Sequence, residues 1–433
     1  MNKIKLGISL NPIGTRQTDF DTEQLGNLAS KREVASNKLT IRLLSLMPLT
    51  TLLQAQPGFG AVNQLLMFLC LVSFLVASCV TKYKPSYWII CSLTALSTVL
   101  GISMVTGPFV NINLVFYLVL WVLLMSLFGG KFELVRSLIL QDIKWLRAIT
   151  VIWCLLVFVS IPLPSSYYVI AGQGRFFGSF AKDSFRLCPT ALEVLVFLTI
   201  CVKVDKKSRW IYCVLSAAPL FCVFMGYSRT YFGVIALMYI PFLKEVCTTK
   251  KQFIRVLMLG AFAGALFIGQ SSIASKIEVT TQSGYYGFWD TITSGRSSFW
   301  THDILSFFSF DLFHQLVGGG FNKIYEINQE IYINIWAHND FINLLVTNGY
   351  LGVFLYFAPL ITLFRSSRNF RIPANKMTLA IIIVQYFINA IFNMEYTYVC
   401  ASIATSFAVI AATIPSQKLE PTKADPESFV KGA

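Results

Sequence analysis

The sequence predicts an all-α, polytopic integral membrane protein with about twelve transmembrane helices. Of the 433 residues, 55% are hydrophobic and 13% are charged, whereas about a quarter of a soluble domain is charged. The mean hydropathy is +0.63. Apolar runs of about 20 residues, long enough to cross the hydrocarbon of a bilayer, recur along the chain. This composition excludes a disordered chain, a coiled coil and an ordinary soluble enzyme.

Twelve apolar runs are the predicted spans. Pro48 interrupts the first run, and the eighth run is short. The runs are residues 40–56, 61–80, 86–106, 109–128, 146–163, 187–202, 210–227, 230–243, 256–272, 339–364, 377–394 and 397–414.

The basic residues predict how these spans are oriented. If the N-terminus is cytoplasmic, 28 of the 35 Lys and Arg residues fall in segments on the cytoplasmic side of the membrane. That excess follows the positive-inside rule. Both termini are therefore predicted to be cytoplasmic, and the inner loops explain the net charge of +14 without a nucleic-acid partner.

The spans and loops divide the chain into seven segments. Residues 1–38 are polar and lack the apolar core of a signal peptide, so they are predicted to form a flexible cytoplasmic arm. The outer segments 164–186 and 273–338 are more than simple turns, and the second is long enough to suggest a function. The other segments are 39–163 with spans one to five, 187–272 with spans six to nine, 339–414 with spans ten to twelve, and the cytoplasmic tail 415–433.

The sequence predicts no metal site and no cofactor. Eight of the ten cysteines lie inside apolar runs and no CxxC motif occurs, so we interpret the cysteines as small apolar core residues. The histidines His302, His314 and His338 lack the spacing of zinc ligands. No glycine-rich segment matches a complete nucleotide-binding motif.

Four ionisable residues on the predicted outer face are the candidate functional residues. Arg175 lies in GQGRFFGSF, Arg229 in GYSRTYFG, Arg296 in GRSSFW and His338 in WAHNDF. An ionisable group at the edge of the hydrocarbon costs roughly a few kcal/mol unless it is paired or hydrated, which makes each a candidate. Each also has a purely structural explanation. The Arg229 side chain could snorkel to the membrane interface, and Arg175 could be a solvated loop charge. Arg296 could form a surface ion pair with Asp290, and His338 could hydrogen-bond to the backbone at a helix start.

The long outer loop contains a helical pattern. Apolar side chains recur every four residues from position 300, and Ser294 is a possible N-cap that would place Arg296 in the first helical turn, where an anion can bind. The helix is predicted either to lie flat on the outer leaflet or to pack against the bundle. Gly318–Gly320 is predicted to end it and to free the following chain. The apolar positions are Trp300, Ile304, Phe308, Leu312 and Leu316.

Residues 170–360 resemble the bacterial O-antigen polymerases and O-antigen ligases, a family of membrane-type glycosyltransferases. The order of MGYSRTYFG, SGRSSFW, GGGF and AHNDFINLLVTNGYLGVFLY carries the resemblance, and GRFFGSF is similar to the arginine-containing segment of the shorter outer loop. The resemblance implies metal-independent transfer of a glycan from undecaprenyl diphosphate at the periplasmic face of the bacterial inner membrane. It also implies that Arg229, Arg296 and His338 are the functional residues, with Arg175 a weaker assignment. A chain-length regulator is a further partner that the family allows.

These residue types suit that chemistry. Arginine binds phosphate oxygens in a bidentate manner and stays charged, so Arg229 and Arg296, with Arg175 assisting, would hold the diphosphate. His338 would accept the proton of the incoming sugar hydroxyl, or would donate a hydrogen bond to the diphosphate. The sequence leaves this choice open.

Three functions remain open. A polymerase, which extends a lipid-linked acceptor, is favoured over a ligase that uses lipid A–core. The third hypothesis, a transporter or flippase of a lipid-linked glycan, lacks a paired half-repeat and has few charges within the spans, of which Glu193 is the clearest.

Overall fold

The computed structural model of the chain describes residues 31–79, 112–170, 174–258, 260, 293, 295–331, 335–370, 372 and 374–415. Within this part the chain is mostly helical, as predicted. Several predicted features lie outside the described residues. They are the span at 86–106, nearly all of the span at 256–272, most of the arm 1–38, most of the tail 415–433, and both Asp290 and Ser294.

Fifteen α-helices have defined bounds within the described residues. Residues 250–258 are also helical. The helices with defined bounds are α1 Lys31–Leu53, α2 Phe59–Cys79, α3 Ile112–Gly130, α4 Phe132–Gln141, α5 Ile143–Ser160, α6 Ser184–Val204, α7 Arg209–Leu215, α8 Ala217–Gly226, α9 Arg229–Val246, α10 Arg296–Phe308, α11 Leu312–Val317, α12 Lys323–Gln329, α13 Asp340–Asn369, α14 Lys376–Phe392 and α15 Val399–Ala412.

Four of these helical units are long and apolar enough to cross a membrane. They are α5, α6, the α7–α8 unit and α13, and the pair formed by α3 and α4, which is bent by 90°, would make a fifth. Helices α14 and α15 are apolar but shorter. The described chain is therefore a helical protein with several candidate membrane spans, and the count of twelve stays a prediction.

Helix α6 lies at the centre of the bundle. It is apolar on all sides, and almost every side chain from Leu187 to Lys203 is buried. A helix of that composition has no face for water and must be surrounded by other helices. Helices α1, α5, α8, α9 and α15 pack around it.

Ion pairs gather at one end of the bundle. They join segments that the positive-inside pattern assigns to the same, cytoplasmic face. The closest N–O distances are 2.7 Å for Arg42–Asp142, 3.2 Å for Arg147–Asp205 and 2.6 Å for Lys206–Glu245.

Two predicted segments differ from the structure. Helix α1 begins at Lys31, inside the segment predicted as a flexible arm, because Glu33 is buried and pairs with Lys131 at 3.0 Å. The outer segment 164–186 is not purely loop and helix, since it contains the antiparallel strands β1 Tyr167–Ile170 and β2 Gly174–Phe177. Aromatic and β-branched residues favour these strands, so the prediction of an all-α fold misses one hairpin.

Residues 296–317 of the long outer loop form two helices where the sequence predicts one. Asp311 interrupts the pattern because its side chain accepts a hydrogen bond from the His314 backbone N–H at 3.0 Å and so caps α11. The buried residues of α10 are Phe299, Asp303 and Phe307, while Phe308 is exposed. The helical period is confirmed. The exposed Phe308, Leu312 and Leu316 do not pack against the bundle, and their contact with the outer leaflet stays a prediction.

The glycine segment at 318–320 is tied to a break in α13. The Gly319 and Gly320 backbone N–H groups donate to the carbonyl oxygens of Val346 and Thr347 at 2.9 and 3.1 Å. Gly349, with φ +65°, interrupts α13 directly after these residues. The segment therefore ends α11 as predicted, but it does not free the following chain.

Backbone contact at this break leaves no room for side chains. A Cβ on Gly349 would lie 2.5 Å from the Leu316 carbonyl, and one on Gly318 would lie 2.3 Å from the Thr347 carbonyl. Both glycines also have positive φ, which other residues rarely adopt. The Gly318–Gly320 segment thus fits against the Asn348–Gly349 pair.

We expect Gly349→Ala to destabilise the protein by about 1–3 kcal/mol or more, because positive φ and backbone overlap both oppose the new methyl group. The matched control is Gly233→Ala in α9, where a Cβ meets nothing within 4 Å. The control should be neutral or up to about 1 kcal/mol stabilising. Thermal unfolding in detergent micelles, followed by circular dichroism, measures the difference. Equal unfolding midpoints for the two variants would contradict the interlocked break.

Candidate functional site

Three of the four predicted residues lie at the start of helices. Arg229 is the first residue of α9, Arg296 is the first residue of α10, and His338 lies two residues before α13. The first turn of a helix has unpaired N–H groups and a positive dipole end. Three helix N-termini from distant parts of the chain therefore contribute to the same region.

Arg296 connects the outer loop to the bundle. Its Nη1 donates to the Phe392 carbonyl oxygen at 2.5 Å, at the C-terminal end of α14. Burial lowers the pKa of Arg296, Tyr398 opposes this shift, and the charge of Arg229 lowers the pKa further. The two guanidinium groups are thus close enough to repel each other. Among the described residues, no carboxylate forms an ion pair with Arg296.

His338 is held in an unusual backbone conformation next to Arg296. Its φ is +50°, and its ring lies 6.1 Å from that of Trp336 in an edge-to-face arrangement. The indole N–H of Trp300 donates to the Ala337 carbonyl at 2.5 Å, which ties α10 to this segment. Burial, followed by the charge of Arg296, lowers the pKa of His338 to about 3. The imidazole is therefore neutral near pH 7.

Other left-handed residues lie nearby. Tyr227, two residues before Arg229, has φ +51°, and Met394, two residues after Phe392, has φ +66°. Non-glycine residues with positive φ are uncommon and concentrate at functional sites. Three segments that meet around Arg296 and His338 each contain one.

A buried polar network lies beneath the site, and the sequence analysis did not include it. The Glu395 carboxylate accepts hydrogen bonds from the Asn389 amide and from the Thr405 hydroxyl, the latter at 2.7 Å. The Asn389 amide also lies 3.5 Å from the Tyr231 hydroxyl in α9, two residues after Arg229. Glu395 therefore links α14 and α15 to the helix that carries Arg229.

Asp340 forms the other half of the network. It is fully buried at the start of α13, where it accepts hydrogen bonds from the Tyr356 hydroxyl at 2.5 Å and the Tyr396 N–H at 3.4 Å. Asn343 donates to the Tyr396 hydroxyl at 2.6 Å. The loop after α14 is thereby attached to the helix that follows His338. Asp340 and Glu395 are ionisable residues within or between apolar runs, which is the signal that could have revealed them.

Arg175 has a different setting. It is exposed in β2, opposite Val169 of β1, and its guanidinium lies 4.2 Å from the ring centre of Tyr167. The groove beside it has a volume of about 520 Å³ and also includes Tyr227. The charges that act on Arg296 and His338 do not include that of Arg175. The structure thus brings together Arg229, Arg296 and His338, and leaves Arg175 apart on the hairpin, in a groove that it shares with Tyr227.

The residues described contain no group of three or more His, Cys, Asp or Glu side chains arranged to hold a metal ion. His302 lies near the Ile327 carbonyl and Glu330, whereas His314 pairs with Asp311.

Comparison with protein-family models, with curated proteins and with solved structures found no match for this chain.

We expect Glu395→Gln to reduce the pH dependence of stability. Burial raises the pKa of Glu395 from 4.5 to about 7, so the folded protein binds this proton more tightly than the unfolded chain. The stabilisation is complete below pH 4.5 and is lost as the pH rises through 7. The wild-type protein should therefore lose more stability than the variant between those values.

Thermal unfolding in detergent micelles across this pH range is the measurement. Glu326→Gln, which replaces a half-exposed carboxylate paired with Lys323, is the control and should follow the wild type. An unchanged pH profile for Glu395→Gln would contradict a raised pKa of the buried Glu395 carboxyl group.

Proposed function

We propose that this chain is a membrane glycosyltransferase that transfers a glycan from a polyprenyl diphosphate to a sugar hydroxyl, as an O-antigen or related surface polysaccharide polymerase. The observation that carries the proposal is the convergence of Arg229, Arg296 and His338 at three helix N-termini beside an apolar bundle. The cluster is positive and lacks a carboxylate partner for Arg296 among the described residues. Such a site favours a ligand with concentrated negative charge.

The leaving group supplies this charge. As the acceptor oxygen bonds to the anomeric carbon, the bond between that carbon and the diphosphate oxygen breaks, and its electrons remain on the polyprenyl diphosphate. Arg229 and Arg296 would bind the oxygens that gain charge. Preorganised donors of this kind each lower a barrier by about 3–4 kcal/mol. Arg175, on the neighbouring hairpin, would assist from the side of Arg229.

His338 would accept the proton of the acceptor hydroxyl. With a pKa of about 3 it is neutral but weakly basic, because Arg296 is close and the imidazole is buried. A bound diphosphate would offset the charge of Arg296 and so raise the pKa of His338. Basicity would then increase only when the donor is in place. A positioned general base contributes about 10²–10⁴ in rate.

The remaining parts of the proposal concern location. The apolar helices suit a bacterial inner membrane, with the arginine cluster on the periplasmic side and both termini in the cytoplasm. The polyprenyl chain of the donor would stay in the lipid while its diphosphate reaches the cluster. The acceptor would be a lipid-linked sugar for a polymerase or lipid A–core for a ligase.

We expect Arg229→Ala, Arg296→Ala and His338→Ala to abolish glycan extension while the protein still inserts into the membrane. A loss of about 10²–10³ per arginine is expected from removal of a preorganised donor. Arg229→Lys and Arg296→Lys should keep part of the activity, because lysine retains the charge without the bidentate geometry. Lipopolysaccharide gels report extension, and immunoblots of membrane fractions report insertion.

Arg209→Ala is the control, since Arg209 lies over Trp210 at the predicted cytoplasmic face. It should give the wild-type ladder. A normal ladder for the three site variants would refute the proposed site.

Deletion of the gene should leave lipopolysaccharide with the core and one repeat unit, because unextended units can still be attached. The banding pattern on a polyacrylamide gel is the measurement. Core alone, with long chains retained on the polyprenyl carrier, would replace the polymerase by a ligase. An unchanged pattern would contradict both.

A further inference from the structure

An exposed apolar surface runs along α10 and α11 in the outer loop. Leu312 is 74% exposed and Leu305 is 64% exposed. Such exposure of leucine side chains to water is unfavourable. We call this surface the loop rim. It consists of Leu305, Phe308, Leu312, Phe313 and Leu316.

The loop rim continues onto a candidate membrane span. Exposed Tyr350, Leu351 and Phe354 lie in α13 just after its break, and the Phe307 ring contacts that of Tyr350 at 5.4 Å. Helix α13 is apolar and long enough to cross a membrane, and as a span it would present these exposed side chains to lipid. The same environment therefore extends to the rim.

The depth of the rim follows from the break at Gly349. The apolar part of α13 after this residue, 350–364, is about 22 Å long at 1.5 Å per residue, which is most of the hydrocarbon thickness of about 30 Å. The break therefore lies close to one edge of the hydrocarbon. Because Gly318 and Gly349 are in backbone contact, the end of α11 lies close to that edge as well. Tyr350 has the position of an interfacial aromatic residue.

Polar residues occupy other parts of the same loop. The Glu330 side chain is 67% exposed after α12, and that of Asp311 is 64% exposed between α10 and α11. The loop is thus amphipathic, as interfacial helices are.

We propose that α10 and α11 are seated in the membrane leaflet on the side of the candidate site, with the loop rim in contact with lipid acyl chains. Helix α10 begins at Arg296, so this seating holds the arginine cluster at the depth of the lipid phosphates. The proposal rests on the membrane location of the proposed function, but not on the transfer reaction.

Spin labelling tests the contact directly. Full-length protein in which the ten native cysteines are replaced receives a single cysteine at position 305, 312 or 313, a nitroxide label, and reconstitution into phosphatidylethanolamine–phosphatidylglycerol vesicles. Labels in contact with acyl chains collide more often with oxygen than with a water-soluble nickel chelate. We expect this result at the rim and at position 354, with the reverse at the control position 330.

Two outcomes would overturn the proposal. Rim labels that respond to the nickel chelate like the label at 330 would place the rim in water. Spin–spin broadening at position 312 that grows with the protein-to-lipid ratio, together with low oxygen access, would mean that a second copy of the chain covers the rim.

A second measurement uses the unmodified protein, in case removal of the cysteines prevents folding. A phospholipid with a diazirine on its acyl chain should crosslink to residues 305–316, and no crosslink there would also overturn the proposal. Both measurements report lipid contact whether or not the chain transfers glycans. Their failure is therefore distinct from failure of the variants at Arg229, Arg296 and His338.

Discussion

A polar group within an apolar bundle must find its partners inside the chain, and this constraint shapes the support of the candidate site. Glu395 is bonded to α14 and α15, and through Asn389 it reaches Tyr231 in α9. Asp340 is bonded to Tyr356 and to the loop after α14. Because an unpartnered buried polar group costs roughly 2–7 kcal/mol, these bonds hold the three helix ends in one arrangement. The Phe392 carbonyl oxygen, which accepts the hydrogen bond from Arg296, belongs to the same arrangement.

The charges above this network are unbalanced. Two guanidinium groups are held close together, and the histidine beside them stays neutral because protonation would add a third positive charge in a buried place. The folded protein holds these positive groups together at an electrostatic cost, which a bound anion would offset. The site therefore repels cations and attracts anions. A diphosphate would satisfy both arginines and change the basicity of the imidazole.

The break in α13 relates this chemistry to the membrane. Its first part, which follows His338, belongs to the site, and its second part carries most of the apolar length of this candidate span. Gly318 and Gly349 allow the outer loop to approach the break at backbone distance. Arg296 begins α10, and the apolar loop rim lies along α10 and α11. The positions of both are therefore related to the break at Gly349.

Hydropathy and charge are local properties, so the sequence alone determined that the chain is helical, that it is apolar enough for several membrane spans, and that Arg229, Arg296 and His338 are unusual. It also indicated the Asn348–Gly349 and Gly318–Gly320 motifs, without their mutual contact. Only the tertiary structure decided that Arg175 lies apart, that Glu395 and the Phe392 carbonyl support the site, and that a hairpin interrupts the helices. These features depend on contacts between residues far apart in the chain. Such contacts follow from how helices pack and how closely glycine lets backbones approach, and neither is written in any single segment.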